Sequence, residues 1–189
     1  MEQTQQPVQP VQPTQPQYSF PTEEVTLPSK GLLYPEGSPL RSGKITMKYM
    51  TAKEEDILTN QNYIKNGTVI DKLLQSLIVD MTKVEDLLIG DKNAILVASR
   101  ILGYGQDYTF KYPHPDTGVE EELTIDLTEA EDKLIDESKM VNGKNEFEFE
   151  LPTSKMFITF KLLTQADEKL IEQELKGLKK INKNSSPEL

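Results

Sequence analysis

Hydrophobic and polar positions along the chain follow two different periods. Between Met50 and Gly105 apolar residues recur at helical spacing, whereas on either side they alternate with polar ones. In the middle block Thr51 precedes Glu54 by three positions, the reciprocal pair that satisfies free amide donors at a helix start. A short acidic helix is therefore predicted from Ala52 to about Leu58. After Gly67, the residues Val69, Ile70, Leu73, Leu74, Leu77 and Ile78 form one apolar stripe of a second helix. Asp91 has the chemistry of an N-cap for a third, which carries Ala94, Ile95, Leu96, Val97, Ile101 and Leu102 and closes at Gly103.

The flanks read as strands. Val25 and Leu27 alternate with polar neighbours over Glu23 to Leu27, and Ile45, Met47 and Tyr49 do so over Lys44 to Met50. Between these strands lies a loop whose glycines and prolines favour one defined path. In it Leu32, Leu33 and Tyr34 sit between Gly31 and Pro35. They either cover the helical core or stand exposed as an anchor, and Leu32, Leu33, Tyr34 and Pro35 are the candidate partner-binding residues. Further on, Tyr108, Phe110 and Tyr112 alternate out to the turn Pro113 to Gly118, and Val119, Leu123, Ile125 and Leu127 alternate back, a β-hairpin. Thr128 to Met140 is acidic, with Thr128 and Glu131 at capping-box spacing, and reads as a short helix or ordered loop. Phe147, Phe149 and Leu151, the turn at Pro152, then Met156, Ile158, Phe160 and Leu162 make a second hairpin. Thr164 and Asp167 open an amphipathic helix with Ala166, Leu170, Ile171, Leu175 and Leu178 facing inward, fading by Ile181. The expected class is α+β: a central cluster of three short helices flanked by antiparallel β-hairpins, with a C-terminal amphipathic helix.

The two ends change the domain picture. Residues 1–19 form a Gln/Pro arm in which Pro7, Pro10, Pro13 and Pro16 recur every third position, along one edge of a polyproline II helix. Such a segment has too little apolar mass to offset its ordering entropy, so a disordered N-terminal arm is expected. It is a solvated arm, a ligand for an aromatic groove, or a tether used in assembly. Residues 182–189 read as a disordered tail, which leaves residues 20–181 as a single domain.

Composition narrows the chemistry. The 189 residues include no cysteine, which excludes disulfides and thiolate metal sites and fits a reducing compartment. No apolar run approaches the roughly 20 residues of a membrane span, and the N-terminus lacks the pattern of a signal peptide, so a soluble intracellular protein is expected. A formal charge of −10 argues against nucleic-acid binding, which needs clustered Lys and Arg. The basic cluster Lys176 to Lys183 ends a predicted helix, where it suits the helix dipole.

Candidate reactive groups are few. His114, the sole histidine, has no Cys or Ser relay, and its place in a turn suggests exposure. His114 with Asp116 could give two ligands to a metal, where a closed zinc site needs four. The acidic runs Glu120–Glu122, Glu129–Asp132 and Glu146/Glu148/Glu150 lack the ligand spacing of a calcium loop and read as solvated faces. Gly103-Tyr104-Gly105 is too short for a phosphate loop. No cofactor, metal or small-molecule substrate is expected. The functional alternatives are a binding protein, a small intracellular adaptor, or a metal-dependent enzyme built on the acidic clusters.

Four stretches in order carry a resemblance: Leu27-Pro28-Ser29-Lys30-Gly31-Leu32-Leu33-Tyr34-Pro35, Met50-Thr51-Ala52-Lys53-Glu54-Glu55-Asp56-Ile57-Leu58, Gly90-Asp91, and Ala98 to Tyr108. Together they resemble the baseplate hub assembly proteins of T4-like contractile-tailed phages, over roughly Pro21 to Leu127. The resemblance implies a non-enzymatic protein that helps build the central hub of the tail baseplate, with other hub proteins as partners. It would act in the host cytoplasm during assembly, with the virion tail baseplate as a further location. Some relatives carry Cys-x-x-Cys, half of a zinc ribbon, where this chain has Tyr112-Pro113-His114-Pro115-Asp116, so metal is not expected of this member.

Overall fold

Residues 20–80, 82–130 and 137–181 are described by the computed structural model. The Gln/Pro arm, the 182–189 tail and Glu131 of the expected acidic capping box lie outside these residues.

Strands β1 (Thr22–Thr26) and β2 (Lys44–Lys48) pair antiparallel, with Val25 opposite Ile45. Leu27, expected at the strand end, instead leaves the ladder and is fully buried. Four helices follow: α1 (Ala52–Thr59), α2 (Gln61–Asn66), α3 (Val69–Leu77) and α4 (Ile89–Tyr104). The cluster thus holds four helices rather than the three expected. The addition, α2, has no apolar stripe and is capped by Asn60, whose side chain accepts from the amides of Asn62 and Tyr63. After α3 the chain returns beside β2, where the Val79 amide donates to the Thr46 carbonyl at 2.9 Å.

The core forms where these pieces meet. Leu27, Leu33, Leu40, Ile45, Met47, Leu74, Leu77, Leu87 and Ile95 are buried together. Each such side chain contributes about 1.5–3 kcal/mol by leaving water. Glu54 is buried among them, and its capping role extends into a network. It accepts from the Thr51 amide at 2.9 Å, from the Ser76 hydroxyl at 2.5 Å and from Lys48 at 2.8 Å, joining β2, α1 and α3.

The C-terminal half adds two separate hairpins and a helix. Among the described residues, strands β3 (Asp107–Pro113) and β4 (Glu120–Asp126) pair only with each other, as do β5 (Phe147–Glu150) and β6 (Phe157–Phe160). Helix α5 (Gln165–Ile181) begins with the expected cap: Asp167 accepts from the Thr164 amide at 3.0 Å and hydroxyl at 2.9 Å. Its first turns are held by backbone bonds Ile89 N to Leu163 O at 3.0 Å and Gln165 N to Leu87 O at 2.9 Å. Lys169 adds ion pairs to Asp71 at 2.8 Å and Glu85 at 3.3 Å.

Three further expectations need correction. The stripe of α5 does not face inward: Ala166, Leu170, Ile171 and Leu178 are exposed and Leu175 half-buried, because α3, α4 and the Leu27–Gly43 loop already close the core. Asp91 is not an N-cap, since α4 starts two residues earlier at Ile89, and Gly103 lies inside the helix, which is capped by Gly105.

Candidate interaction surface

The loop from Leu27 to Gly43 is closed at its root by the Leu27 amide donating to the Gly43 carbonyl at 2.8 Å. Gly31 and Gly43, at φ of 75° and 71°, pass so closely that a Cβ on either would collide with backbone of the opposite limb. A 3-10 turn over Pro39–Ser42 then carries the chain into β2, with the Ser38 side chain accepting from the Leu40 amide.

Inside the loop lies a buried polar node that no local sequence pattern marks. Asp91, 1% exposed, accepts from the Ser29 amide at 2.9 Å, the Ser29 hydroxyl at 2.6 Å and the Tyr34 hydroxyl at 2.7 Å. Tyr34 in turn accepts from the Leu88 amide at 3.0 Å. That amide precedes the first turn of α4, where a backbone donor has no partner within the helix. Burial, then the neighbouring Asp91 charge, push the Tyr34 phenol far above its ordinary range, so it stays a donor. Arg41 closes the outside by donating to the Tyr34 carbonyl at 2.9 Å.

Of the four candidate contact residues, Leu33 and Tyr34 are therefore buried, 3% and 4% exposed, and hold the loop from beneath. Leu32 is half-buried, its carbonyl accepting from the Gly143 amide at 2.7 Å, and Pro35 is exposed. Beside them opens a cleft of about 510 Å³, lined by Pro35, Gly37 and Pro39 of the loop, Thr82, Lys83 and Asp86 of the next segment, and Ala166 of α5. The Thr82 hydroxyl is buried there with no hydrogen-bond partner among the described residues.

More apolar surface lies on the projecting elements. One face of β3–β4 carries Tyr108, Phe110 and Tyr112, with ring centroids 5.7 and 6.2 Å apart, opposite Ile125 and Leu123. Phe147, Phe149, Ile158 and Phe160 share a face of β5–β6, and Phe157 on its other face is 75% exposed. With α5, these surfaces exceed the scattered single apolar residues normal for a monomer.

The candidate chemistry stays apart. His114 is half-buried rather than exposed, its Nδ1 accepting from the Asp116 amide at 3.3 Å, and its backbone pairs with Val119 and Gly118 to shape the turn. Among the described residues no group of three or more His, Cys, Asp or Glu is placed to hold a metal. Among the same residues no helix is long and apolar enough to cross a membrane.

The fold is thus a small α+β unit with a pinned loop and three apolar projections. A family model described as T4 bacteriophage base plate protein matches residues 21–185, and the chain belongs to that family. The match runs well past Leu127, so the second hairpin and α5 are part of the family pattern, while the Gln/Pro arm lies outside it. Comparison with curated proteins and with solved structures gives no match.

Proposed function

We propose that this base plate protein acts without catalysis in building the central hub, through contacts with other hub proteins rather than with nucleic acid, membrane or a small molecule. It works in the host cytoplasm during assembly and is carried into the tail baseplate if it is retained. Residues 20–181 serve as one domain, with the arm and tail as appendages.

The observation that carries this reading is the apolar surface on elements that project from a closed core. Met156 and Phe157 at the β5–β6 turn are 60% and 75% exposed, and Leu170 and Leu178 of α5 are 56% and 57% exposed. Exposed apolar groups of this size gain free energy when a partner covers them. The outer part of the loop, Leu32 and Pro35, contributes to the contact with Leu33 and Tyr34 as its fixed base. Acidic rims such as Glu146, Glu148 and Glu150 favour a basic partner and repel acidic ones.

Co-expression with the hub subunits of the same phage, followed by pull-down across a range of salt, tests the proposal. A stable complex is expected; absence of association at every salt concentration contradicts it. Changing Leu32 and Pro35 together to Ser should weaken that complex at least ten-fold while leaving the melting temperature nearly unchanged. An unaltered complex would remove the loop from the contact.

A further inference from the structure

The aromatic face of β3–β4 has a candidate occupant in the same chain. Tyr108, Leu123 and Ile125 are 41%, 42% and 40% exposed on that face, although the hairpin presents polar Thr109, Lys111, Glu122 and Thr124 on the other. Arg100 sits over the rings of Tyr104 and Tyr108 at 5.0 and 5.6 Å from their centroids, which fixes the first rung of the ladder. We propose that the N-terminal Gln/Pro arm, residues 1–19, docks on this ladder of its own chain.

Three observations join the two. The first is where the arm ends. The Pro21 carbonyl accepts from the Tyr49 amide at 3.3 Å, and Met50, the next residue, packs its sulfur on Gly103, four residues before β3 begins. Through these contacts the point where the arm joins the fold lies on the side of the molecule from which β3 starts, and the arm is tethered there by its own backbone. Short flexible tethers give effective concentrations in the millimolar range.

The second is spacing. Prolines three apart in a polyproline II helix repeat about every 9 Å. Same-face strand residues repeat about every 6.7 Å, so three rungs span about 13 Å and accept two successive prolines. Polyproline II segments dock on aromatic surfaces because a preformed extended helix loses little entropy on binding.

The third is charge. Glu2 is the only charged side chain in the arm, whereas β4 carries Glu120, Glu121, Glu122 and Asp126. An acidic segment would be repelled there; a nearly neutral one is not.

The test uses the full chain and a full-length variant with Pro7, Pro10, Pro13 and Pro16 changed to Gly, which leaves the folded part untouched. Aromatic NMR resonances of Tyr108, Phe110 and Tyr112 should differ between the two. A synthetic peptide of residues 1–19 should restore the original positions in the variant, binding it at least ten-fold more tightly than it binds the natural chain, where the tethered arm competes. Changing Tyr108 and Tyr112 to Ser should move the arm resonances to those of the free peptide. Identical ladder resonances in natural chain and proline variant overturn the proposal. So does a concentration-dependent dimer that needs the arm, since the arm would then occupy a second copy.

Discussion

Asp91 and Glu54 are both carboxylates withdrawn from water, and each is satisfied in a different way. Asp91 receives three neutral donors from the loop, and Glu54 receives a lysine. Tyr34→Phe deletes the hydroxyl that bridges Asp91 and the Leu88 amide, leaving a buried amide and a buried carboxylate each one bond short. A loss of about 1–3 kcal/mol is expected in denaturant unfolding, with secondary structure unchanged. For Glu54, burial alone would raise the pKa; bonds from Lys48, Ser76 and Thr51 outweigh it and hold the carboxyl at about 2 against an ordinary 4.5. A depressed folded value means the stabilisation is complete above about 4.5 and is lost as pH falls toward 2. Glu54→Gln should therefore flatten the acid limb of stability in that window, as measured by unfolding at stepped pH. At this scale the sequence was legible only where partners are close. The pairing of Thr51 with Glu54 spans three positions, and the structure forms it as the spacing predicts. Asp91 bonds to residues 62 and 57 positions away, so its local look as an N-cap hid its role.

Elements were legible where periodicity reports a property of the segment itself. Both outer hairpins, the β1–β2 pair, α1 and α3 lie where alternation or helical spacing placed them, within a residue or two. Helix α2 escaped because QNYIKN has no apolar stripe and is held by its Asn60 cap. For α5 the period gave the helix but not its cover, because a stripe states what must be buried and not by what. The loop depends on its tightest crossing. Gly31→Ala puts a methyl group into the Arg41 carbonyl at a positive φ, and a cost of about 1–3 kcal/mol is expected. Gly103→Ala meets only the flexible thioether of Met50, which can turn aside, and helix propensity favours alanine there. That change should stay within about 1 kcal/mol, and paired thermal melts of the two variants check the contrast.

For the whole molecule, a charge of −10 and apolar faces on three projections pull in opposite directions. Charge keeps copies of the chain apart and favours a partner of opposite sign, while the uncovered apolar faces gain free energy when any partner covers them. Composition made the first half of this readable, and only the fold revealed that, among the described residues, each outer hairpin is a sheet of two strands, with Phe147 of β5 the hairpin side chain packed against the core. In the function proposed above, these faces join the protein to neighbouring hub subunits. Hydrogen exchange on the complex with those subunits tests that contact. Slowed exchange is expected in residues 147–160, 165–178 and 32–37, with the interior of α3 unchanged. Equal exchange in all three segments with and without the subunits would contradict it.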